Sequence, residues 1–197
     1  MPKQDLKTSL IFGCGDVGRR IAKALIKDGL EPSAISGLVN SVNSQQQSAS
    51  IGVLCRLIDL DSLETNLLAG LTSCNNAELY YTIAPQKHGL SDQRSDALIK
   101  HFMAANILPS KVVLISTTGV YGDCDGDWVS ELSTTQPQTE RGQRRLDSER
   151  QWLTWGESQG VSVVVLRAPG IYAFSRLPRA RLERRTPVVN ASECGFS

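Results

Sequence analysis

The feature that most constrains this chain is a glycine-rich turn placed between a short apolar run and a segment with helical periodicity. Residues 10–12 are Leu-Ile-Phe, and Gly13-Cys14-Gly15-Asp16-Val17-Gly18 follows at once. Apolar residues then recur at helical spacing up to Gly29, which is placed to end the helix. The G-x-G-x-x-G spacing therefore follows a strand and opens a helix, the context that gives this spacing structural meaning.

Each position of the turn has a physical task in binding a diphosphate. Gly13 allows a sharp turn, Gly15 lets a phosphate approach the backbone because it lacks a Cβ atom, and Gly18 lets the helix pack closely on the strand. Asp16 and Val17 open the helix, whose N-terminus offers unpaired N–H groups and a partial positive charge. We predict a dinucleotide-binding turn, and the alternative is a purely structural connection.

The composition limits the class of protein. A chain of 197 residues with 41% hydrophobic content suffices for one domain, or slightly more, with a substantial core. A net charge of +1 gives no electrostatic case for nucleic acid or an anionic membrane as a partner. No run approaches the ~18 apolar residues of a membrane span, and the first residues lack the apolar core of a signal peptide. Five scattered cysteines without a C-x-x-C pair favour free thiols in a reducing cytoplasm over disulfides or a zinc site.

Six short apolar runs alternate with helical patterns along the chain. After the run before the turn, the predicted strands cover residues 34–39, 53–58, 79–84, 112–115 and 161–166. Helices are predicted at residues 62–71, 92–105 and 139–157, and residues 44–50 form either a short helix or a loop. This alternation predicts an α/β fold, a Rossmann-like doubly wound parallel sheet of about six to seven strands. The strand at 112–115 has the continuous apolar pattern of a strand buried on both faces.

Two polar residues at predicted strand ends are candidates to contact the adenosine half of a dinucleotide. Asn40 ends the second strand roughly 20 residues after the turn, where an acidic residue commonly binds the ribose. Its neutral side chain would not repel a 2′-phosphate, which tilts the expectation from NAD towards NADP. Arg19 or Arg20 could supply the matching positive charge, although solvated surface explains both arginines equally well. Asp59, at the end of the third strand, could accept from an adenine amino group or cap the next helix.

Three further strand ends are expected at the same edge of the sheet. Ala84 and Pro85 close the fourth strand, Ser116 lies at the end of the fifth, and Pro169 follows the sixth. Parallel strands end at a common edge, and ligands of such sheets bind beyond the carboxyl ends of the strands. We therefore predict that these residues and the glycine turn line one cofactor site.

The residues after the fifth and sixth predicted strands resemble a known family. Residues 116–122 read Ser-Thr-Thr-Gly-Val-Tyr-Gly, and residues 167–172 read Arg-Ala-Pro-Gly-Ile-Tyr. With the glycine turn and Asp59, they are similar to the extended short-chain dehydrogenase/reductases, the NAD-dependent epimerase/dehydratase group of nucleotide-sugar enzymes. The resemblance implies a nicotinamide cofactor and a small-molecule substrate of that class. It also implies that Thr117 matches the Ser or Thr that hydrogen-bonds the reacting oxygen.

The resemblance fails at the catalytic pair. The family carries a Tyr-x-x-x-Lys motif on the helix after the fifth strand, and aligning Leu146 and Glu149 with the family pattern puts Arg141 at the tyrosine and Arg145 at the lysine. A guanidinium stays protonated, so Arg141 cannot act as the base, whereas Arg145 could keep the role of binding ribose hydroxyls. The chain thus resembles the atypical members. Tyr121 is a structural loop residue in the family pattern, and the alternative is that its phenol substitutes as the base.

The C-terminal part departs from the family as well. Residues 1–172 are expected to form the NAD(P)-binding domain, and residues 173–197 a remnant of the smaller lobe that binds the substrate in the family. The chain is then either a fragment or a core trimmed in evolution, and uncovered apolar surface would favour a homodimer. The basic segment at residues 176–185 is interpreted as a solvated helix face, with a grip on a substrate diphosphate as the alternative.

Two functions follow from these observations. The first is an NAD(P)-dependent oxidoreductase or epimerase acting on a sugar or nucleotide-sugar, supported by the glycine turn and Thr117. The second is a non-catalytic dinucleotide sensor or regulatory protein, supported by the missing Tyr-x-x-x-Lys pair.

Overall fold

The computed structural model describes residues 8–61, 74–171 and 183–184. Within these ranges six strands alternate with α-helices. In chain order the elements are β1 (Ser9–Phe12), α1 (Asp16–Lys27), β2 (Ile35–Val39), α2 (Val42–Ala49), β3 (Leu54–Leu57), β4 (Glu78–Tyr81), α3 (Gln93–Ala104), β5 (Lys111–Thr117), α4 (Glu140–Gln159) and β6 (Ser162–Ala168). Every strand pairing is parallel and the order is β3-β2-β1-β4-β5-β6. The predicted Rossmann-like doubly wound sheet is confirmed.

The element bounds agree with the sequence prediction to within three residues at each end. The open alternative at residues 44–50 is settled as the helix α2, whose N-terminus is capped by the Ser41 hydroxyl accepting from Ser44 N at 3.3 Å. Strand β4 ends at Tyr81 instead of residue 84, because Thr82 turns its hydroxyl onto the Gly13 carbonyl at 2.6 Å. The helix predicted at residues 62–71 lies outside the described residues.

Two hydrophobic clusters cover the two faces of the sheet. Helices α3 and α4 pack on one face through an aromatic cluster made of Phe12, Tyr81, Phe102, Trp152 and Trp155. Helices α1 and α2 cover β1 to β3 on the other face, where Ile11, Ala22 and Ile35 are fully buried. The two layers place the N-terminus of α1 and the first turns of α4 at the edge where the strands end.

A buried polar network fixes α3 against α4. The Ser95 hydroxyl meets the Ser148 hydroxyl at 2.9 Å, donates to the Asp92 carboxylate at 2.7 Å and accepts from Trp152 Nε1 at 3.1 Å. Asp92 also caps α3 by accepting from the first amides of the helix. Because each member of the network has partners inside the protein, these helices hold one defined arrangement.

The expectation of a fifth strand buried on both faces is wrong for the described chain. Val112 and Leu114 are fully buried, whereas Val113 and Ile115 on the other face are half-buried. On that same face of the neighbouring strand β6, Leu166 is 47% exposed. In the described ranges α1 and α2 pack on β1, β2 and β3, which leaves this face of β5 and β6 largely open.

Candidate functional site

Two cavities lie beyond the carboxyl ends of the strands. The first, the glycine groove, has a volume of about 250 Å³ and is lined by Gly13, Gly15, Leu38, Val39, Asn40, Ser44, Ile58, Asp59, Leu60, Ile83, Ala84 and Arg94. The second, the arginine cavity, has a volume of about 540 Å³ and is lined by Val17, Thr82, Ala84, Pro85, Gln86, Lys87, Ile115, Ser116, Thr117, Arg141, Arg144, Arg145, Ala168, Pro169, Gly170 and Ile171. Ala84 belongs to both, so the two cavities meet where β4 ends.

The glycine turn has the geometry that its sequence predicts. Gly13 has a φ of +91°, and a Cβ atom there would lie 2.7 Å from Thr82 Oγ1. A Cβ atom at Gly18 would lie 2.7 Å from the Gly13 carbonyl oxygen, so the helix packs on the turn more closely than any side chain allows. At Gly15 the nearest atom would be 3.8 Å away. The protein therefore leaves open space at Gly15 alone among the three glycines, where a ligand backbone contact is expected.

The start of α1 faces the same open space. The first intrahelical bond runs from Arg19 N to the Gly15 carbonyl at 2.9 Å, so the amides of Val17 and Gly18 precede the helical ladder. No side chain in the described ranges makes a capping hydrogen bond at this N-terminus. These amides and the helix dipole suit a diphosphate.

The turn is anchored from inside by Cys14, a fully buried residue that the sequence analysis left without a role. Its carbonyl accepts from the Ser48 hydroxyl of α2 at 3.3 Å. A hydrogen bond from the Cys55 thiol, helped by Ser48, lowers the pKa of the Cys14 thiol to about 7. The cysteines of the described ranges, Cys14, Cys55, Cys74 and Cys124, are free thiols.

The far end of the glycine groove carries the two predicted strand-end residues. Asn40 and Asp59 both line the groove and both are exposed. Ser44 and Arg94 join them from α2 and α3, and sequence reasoning missed both. Arg94 forms a two-pronged ion pair with Asp61, with nitrogen–oxygen distances of 2.7 and 2.5 Å, and it holds the pKa of the Asp61 carboxyl below its usual value.

The two arginines after the turn have other partners. Arg20 bonds the Asp16 carboxylate at 3.2 Å on the exposed side of α1. Arg19 donates to the Cys14 carbonyl at 3.4 Å. Neither is among the residues that line the glycine groove.

The arginine cavity brings together the other predicted residues. Thr117 ends β5, and its hydroxyl accepts from Gly119 N at 3.2 Å. The Ser116 hydroxyl donates to the buried Glu149 carboxylate. Arg145 donates to the Ile83 carbonyl at 3.2 Å, and Arg141 lines the same cavity one turn earlier on α4. The two arginines predicted at the positions of the family's tyrosine and lysine thus line one cavity with the end of β5.

Tyr121 follows β5 and contacts Arg167 of β6. Its hydroxyl accepts from Arg167 Nη1 at 2.9 Å, and the Arg167 guanidinium carbon lies 4.9 Å from the centre of its ring. Arg167 in turn pairs with Glu149, whose carboxylate is 1% exposed. Tyr121 lines a third cavity with Thr118 and Arg167, and it is not among the residues lining the arginine cavity. Its role as a substitute base stays a prediction.

Part of the predicted site falls outside the described residues. This applies to Tyr172 and to the basic segment at residues 176–185, apart from residues 183 and 184. None of the helices in the described ranges has both the length and the apolar character that crossing a bilayer requires.

A family profile of the NAD dependent epimerase/dehydratase family matches residues 10–190, which is most of the chain. The chain belongs to the NAD dependent epimerase/dehydratase family. The match agrees with the turn, the strand order and the position of the two cavities. The name of the family specifies a nicotinamide dinucleotide as the cofactor. No curated protein matches the sequence.

Two solved structures of longer chains share both the fold and part of the sequence. A conserved protein of unknown function from Silicibacter pomeroyi is 29% identical, with a TM-score of 0.69 over 89% of this chain and 57% of that one. A candidate NAD-dependent epimerase/dehydratase from Methylobacillus flagellatus is 28% identical, with a TM-score of 0.70 over 93% of this chain and 61% of that one.

A more distant structure shows the shared fold alone. The UDP-glucuronic acid 4-epimerase from Bacillus cereus, in complex with UDP-glucuronic acid and NAD, is 19% identical, with a TM-score of 0.66 over 89% of this chain and 63% of that one. This epimerase-family chain therefore spans less than two thirds of the length of these three relatives.

Proposed function

We propose that the chain binds a nicotinamide dinucleotide across the ends of its strands and acts as an oxidoreductase or epimerase on a sugar or nucleotide-sugar. The observation that carries the proposal is the continuity of the two cavities. They meet at Ala84 and together run from Asn40 past the glycine turn to Thr117. A dinucleotide lying along this edge would have its adenosine at one end and its nicotinamide beside β5.

The described residues fit such a cofactor. The open space at Gly15 and the amides of Val17 and Gly18 would hold the diphosphate, and Asp16 opens the same helix turn. Asn40 and Asp59 would bind the adenosine, with Ala84, Pro85 and Pro169 along the nicotinamide half. When bound, the nicotinamide ring supplies hydride transfer.

NADP is proposed as the preferred form of the cofactor. Asn40 is neutral and exposed where a carboxylate would repel a 2′-phosphate. Arg94 lines the same groove but is engaged by Asp61, and Arg19 is half-buried beside Cys14. Either arginine would supply charge to the phosphate after a side-chain rotation. The test is calorimetry with NADPH and NADH, and equal affinities would remove the preference.

On the substrate side, Thr117 would hydrogen-bond the reacting oxygen and Arg145 would bind ribose hydroxyls. Arg145 is half-buried beside the end of β4, and its pKa is lowered chiefly by burial. Neither Arg141 nor Arg145 can take a proton from a sugar hydroxyl, so another residue must act as the base. The free thiols favour a cytoplasmic location, and a homodimer would cover the open face of β5 and β6.

A second candidate function is a dinucleotide sensor without catalysis. Arg141 and Arg145 favour it, since both line the cavity and stand where the family pattern predicts the catalytic tyrosine and lysine. A sensor would bind NADPH yet reduce or oxidise no member of a broad nucleotide-sugar panel. Turnover with any member of the panel would decide in favour of the enzyme.

The cofactor proposal is tested with Gly15→Asp. Gly15 has a φ of −78° and open space around it, so the variant should fold while its carboxylate occupies and repels the diphosphate position. We expect NADPH affinity to fall by roughly 100-fold or more, measured by calorimetry and thermal shift. Gly119→Asp is the matched control, because its nearest contacts are 3.6 Å away and it lines neither cavity. Equal NADPH binding by wild type and Gly15→Asp would contradict the proposal.

A further inference from the structure

The arginine cavity carries more positive charge than the cofactor proposal uses, since that proposal gives a role to Arg145 alone. Four cationic side chains line it: Lys87, Arg141, Arg144 and Arg145. Among the described residues that line the cavity there is no carboxylate. Three of the four, at positions 141, 144 and 145, come from the first turns of α4, so the charge is concentrated on one wall.

The two more buried arginines are poorly neutralised. The side chain of Arg144 is 7% exposed, donates to the Gly89 carbonyl at 2.6 Å, and reaches the exposed Glu140 carboxylate only at 3.5 Å. Its Nε has no partner among the described residues. Arg145 donates to one carbonyl, and its buried Nη1 also lacks a partner there. Burial opposes the charge of Arg145 and lowers its pKa.

The two more accessible cations are Lys87 and Arg141. Within the described part of the chain neither Lys87 nor Arg141 forms an ion pair, and both are exposed. Their nitrogens can reach a ligand entering from solvent, whereas the inner pair sets the positive potential behind it.

Two other arginines of this chain each form a close ion pair with a carboxylate. Arg167 meets the Glu149 carboxylate at 2.8 Å, and Arg94 meets Asp61 through two nitrogens. Both have a carboxylate in contact. The arginine cavity has only the 3.5 Å contact between Arg144 and the exposed Glu140 carboxylate, and guanidiniums buried with so little compensation are costly unless an anion completes the cluster.

We propose that the arginine cavity binds an anionic group of the substrate, of the phosphate class, beside Thr117. Planar guanidiniums give bidentate contacts to phosphate oxygens, and several of them with a lysine suit a dianion better than a neutral sugar ring. That the anion belongs to a substrate rests on the proposed function, since Thr117 lines the same cavity as the arginines. The ligand would be a phosphorylated small molecule.

The test titrates inorganic phosphate by calorimetry, with and without saturating NADPH. Arg141→Gln is the main variant, because Arg141 is exposed and its replacement leaves the packing of α4 intact. We expect phosphate affinity to fall about tenfold, the effect of one charge-assisted contact. Arg144→Gln should lower it as well, and Lys87→Gln is the surface variant to use if Arg144→Gln does not fold. Arg150→Gln, an exposed arginine of the same helix that does not line the cavity, is the matched control and should match wild type.

The cofactor state separates this proposal from the previous one. Phosphate binding that persists in Gly15→Asp and under saturating NADPH places the anion in the arginine cavity and apart from the diphosphate position. If the wild type does not bind NADPH but its phosphate binding depends on Arg141, the cofactor proposal is overturned and the anion site is retained. The anion site is overturned if phosphate does not bind, if Arg141→Gln binds it like wild type, or if NADPH displaces it.

Discussion

The glycine groove and the arginine cavity lie along one edge of the sheet but are built in opposite ways. The glycine turn is formed by the backbone of residues 13–18, and its shape depends on the absence of a Cβ atom at its three glycines. The arginine cavity is made by side chains from the β4 loop, the end of β5, α4 and the residues after β6. A backbone site tolerates few substitutions, whereas a side-chain site can exchange residues and keep the fold. The first region therefore carries the family's sequence signal, and the second carries Arg141 and Arg145 at the positions predicted for the family's tyrosine and lysine.

The largest effect should come from breaking the ion pair behind the arginine cavity. Arg167→Met leaves the Glu149 carboxylate, 1% exposed, without its guanidinium, and we expect a loss of about 3–5 kcal/mol in the free energy of unfolding. Urea denaturation measures it. Arg20→Met, which removes an exposed pair with Asp16, should cost close to zero. Because Glu149 also accepts a hydrogen bond from Ser116 in the cavity, Arg167→Met should weaken phosphate binding while the NADPH-induced thermal shift persists. If Arg167→Met and Arg20→Met both lost little stability, the pair of Arg167 and Glu149 would not support the cavity.

Gly18→Ala should have a smaller effect on stability and the opposite effect on binding, with NADPH binding lost and phosphate binding kept. Its methyl group would lie 2.7 Å from the Gly13 carbonyl oxygen and 2.8 Å from Ile11 Cγ2, so the turn must shift. We expect about 1–3 kcal/mol of destabilisation by chemical denaturation and a lost thermal shift with NADPH. Gly119→Ala, with no atom closer than 3.6 Å, is the control. If Gly18→Ala keeps NADPH affinity but loses phosphate binding, the division between the two regions is wrong.

The smallest effect concerns the rim of the glycine groove. Asp61→Asn removes the partner of Arg94 in an exposed pair, and at pH 7 we expect a loss below about 1 kcal/mol. Arg94 lowers the pKa of Asp61 in the folded state, so the stabilisation is full above the ordinary value of 3.8 and disappears as the pH falls through the lowered value. Denaturation of both proteins at pH 7 and under acid conditions measures this. If the difference in free energy of unfolding between wild type and Asp61→Asn grew on acidification, the assigned ion pair of Arg94 and Asp61 would be contradicted.

The sequence was most informative where structure depends on neighbouring residues. The tasks of Gly13, Gly15 and Gly18 follow from steric limits on the residue itself and are visible in their spacing. The parallel order follows from apolar runs that alternate with helical patterns. Asn40 and Asp59 were found because strand ends can be located from those runs, and both line the predicted groove.

Contacts between distant segments had no such signal. Thr82 shortens β4 by bonding the Gly13 carbonyl, and Arg94 reaches the groove from a helix whose face looks solvated in the sequence. Glu149 looks like one more charge in a charged helix, yet it is buried against Ser116 and Arg167. The two-sided burial predicted for β5 failed because apolar character does not tell whether a helix covers a strand.

The sequence by itself determined the fold class, the family and the geometry of the glycine turn, since strand, turn and helix propensities act over a few residues. Only the tertiary structure decided that Tyr121 and Thr117 line different cavities and that four cations share one cavity without a carboxylate among its described residues. The physical reason is that charge balance and burial depend on which distant side chains meet, and the chain sets this only when the sheet and its helices close on one another.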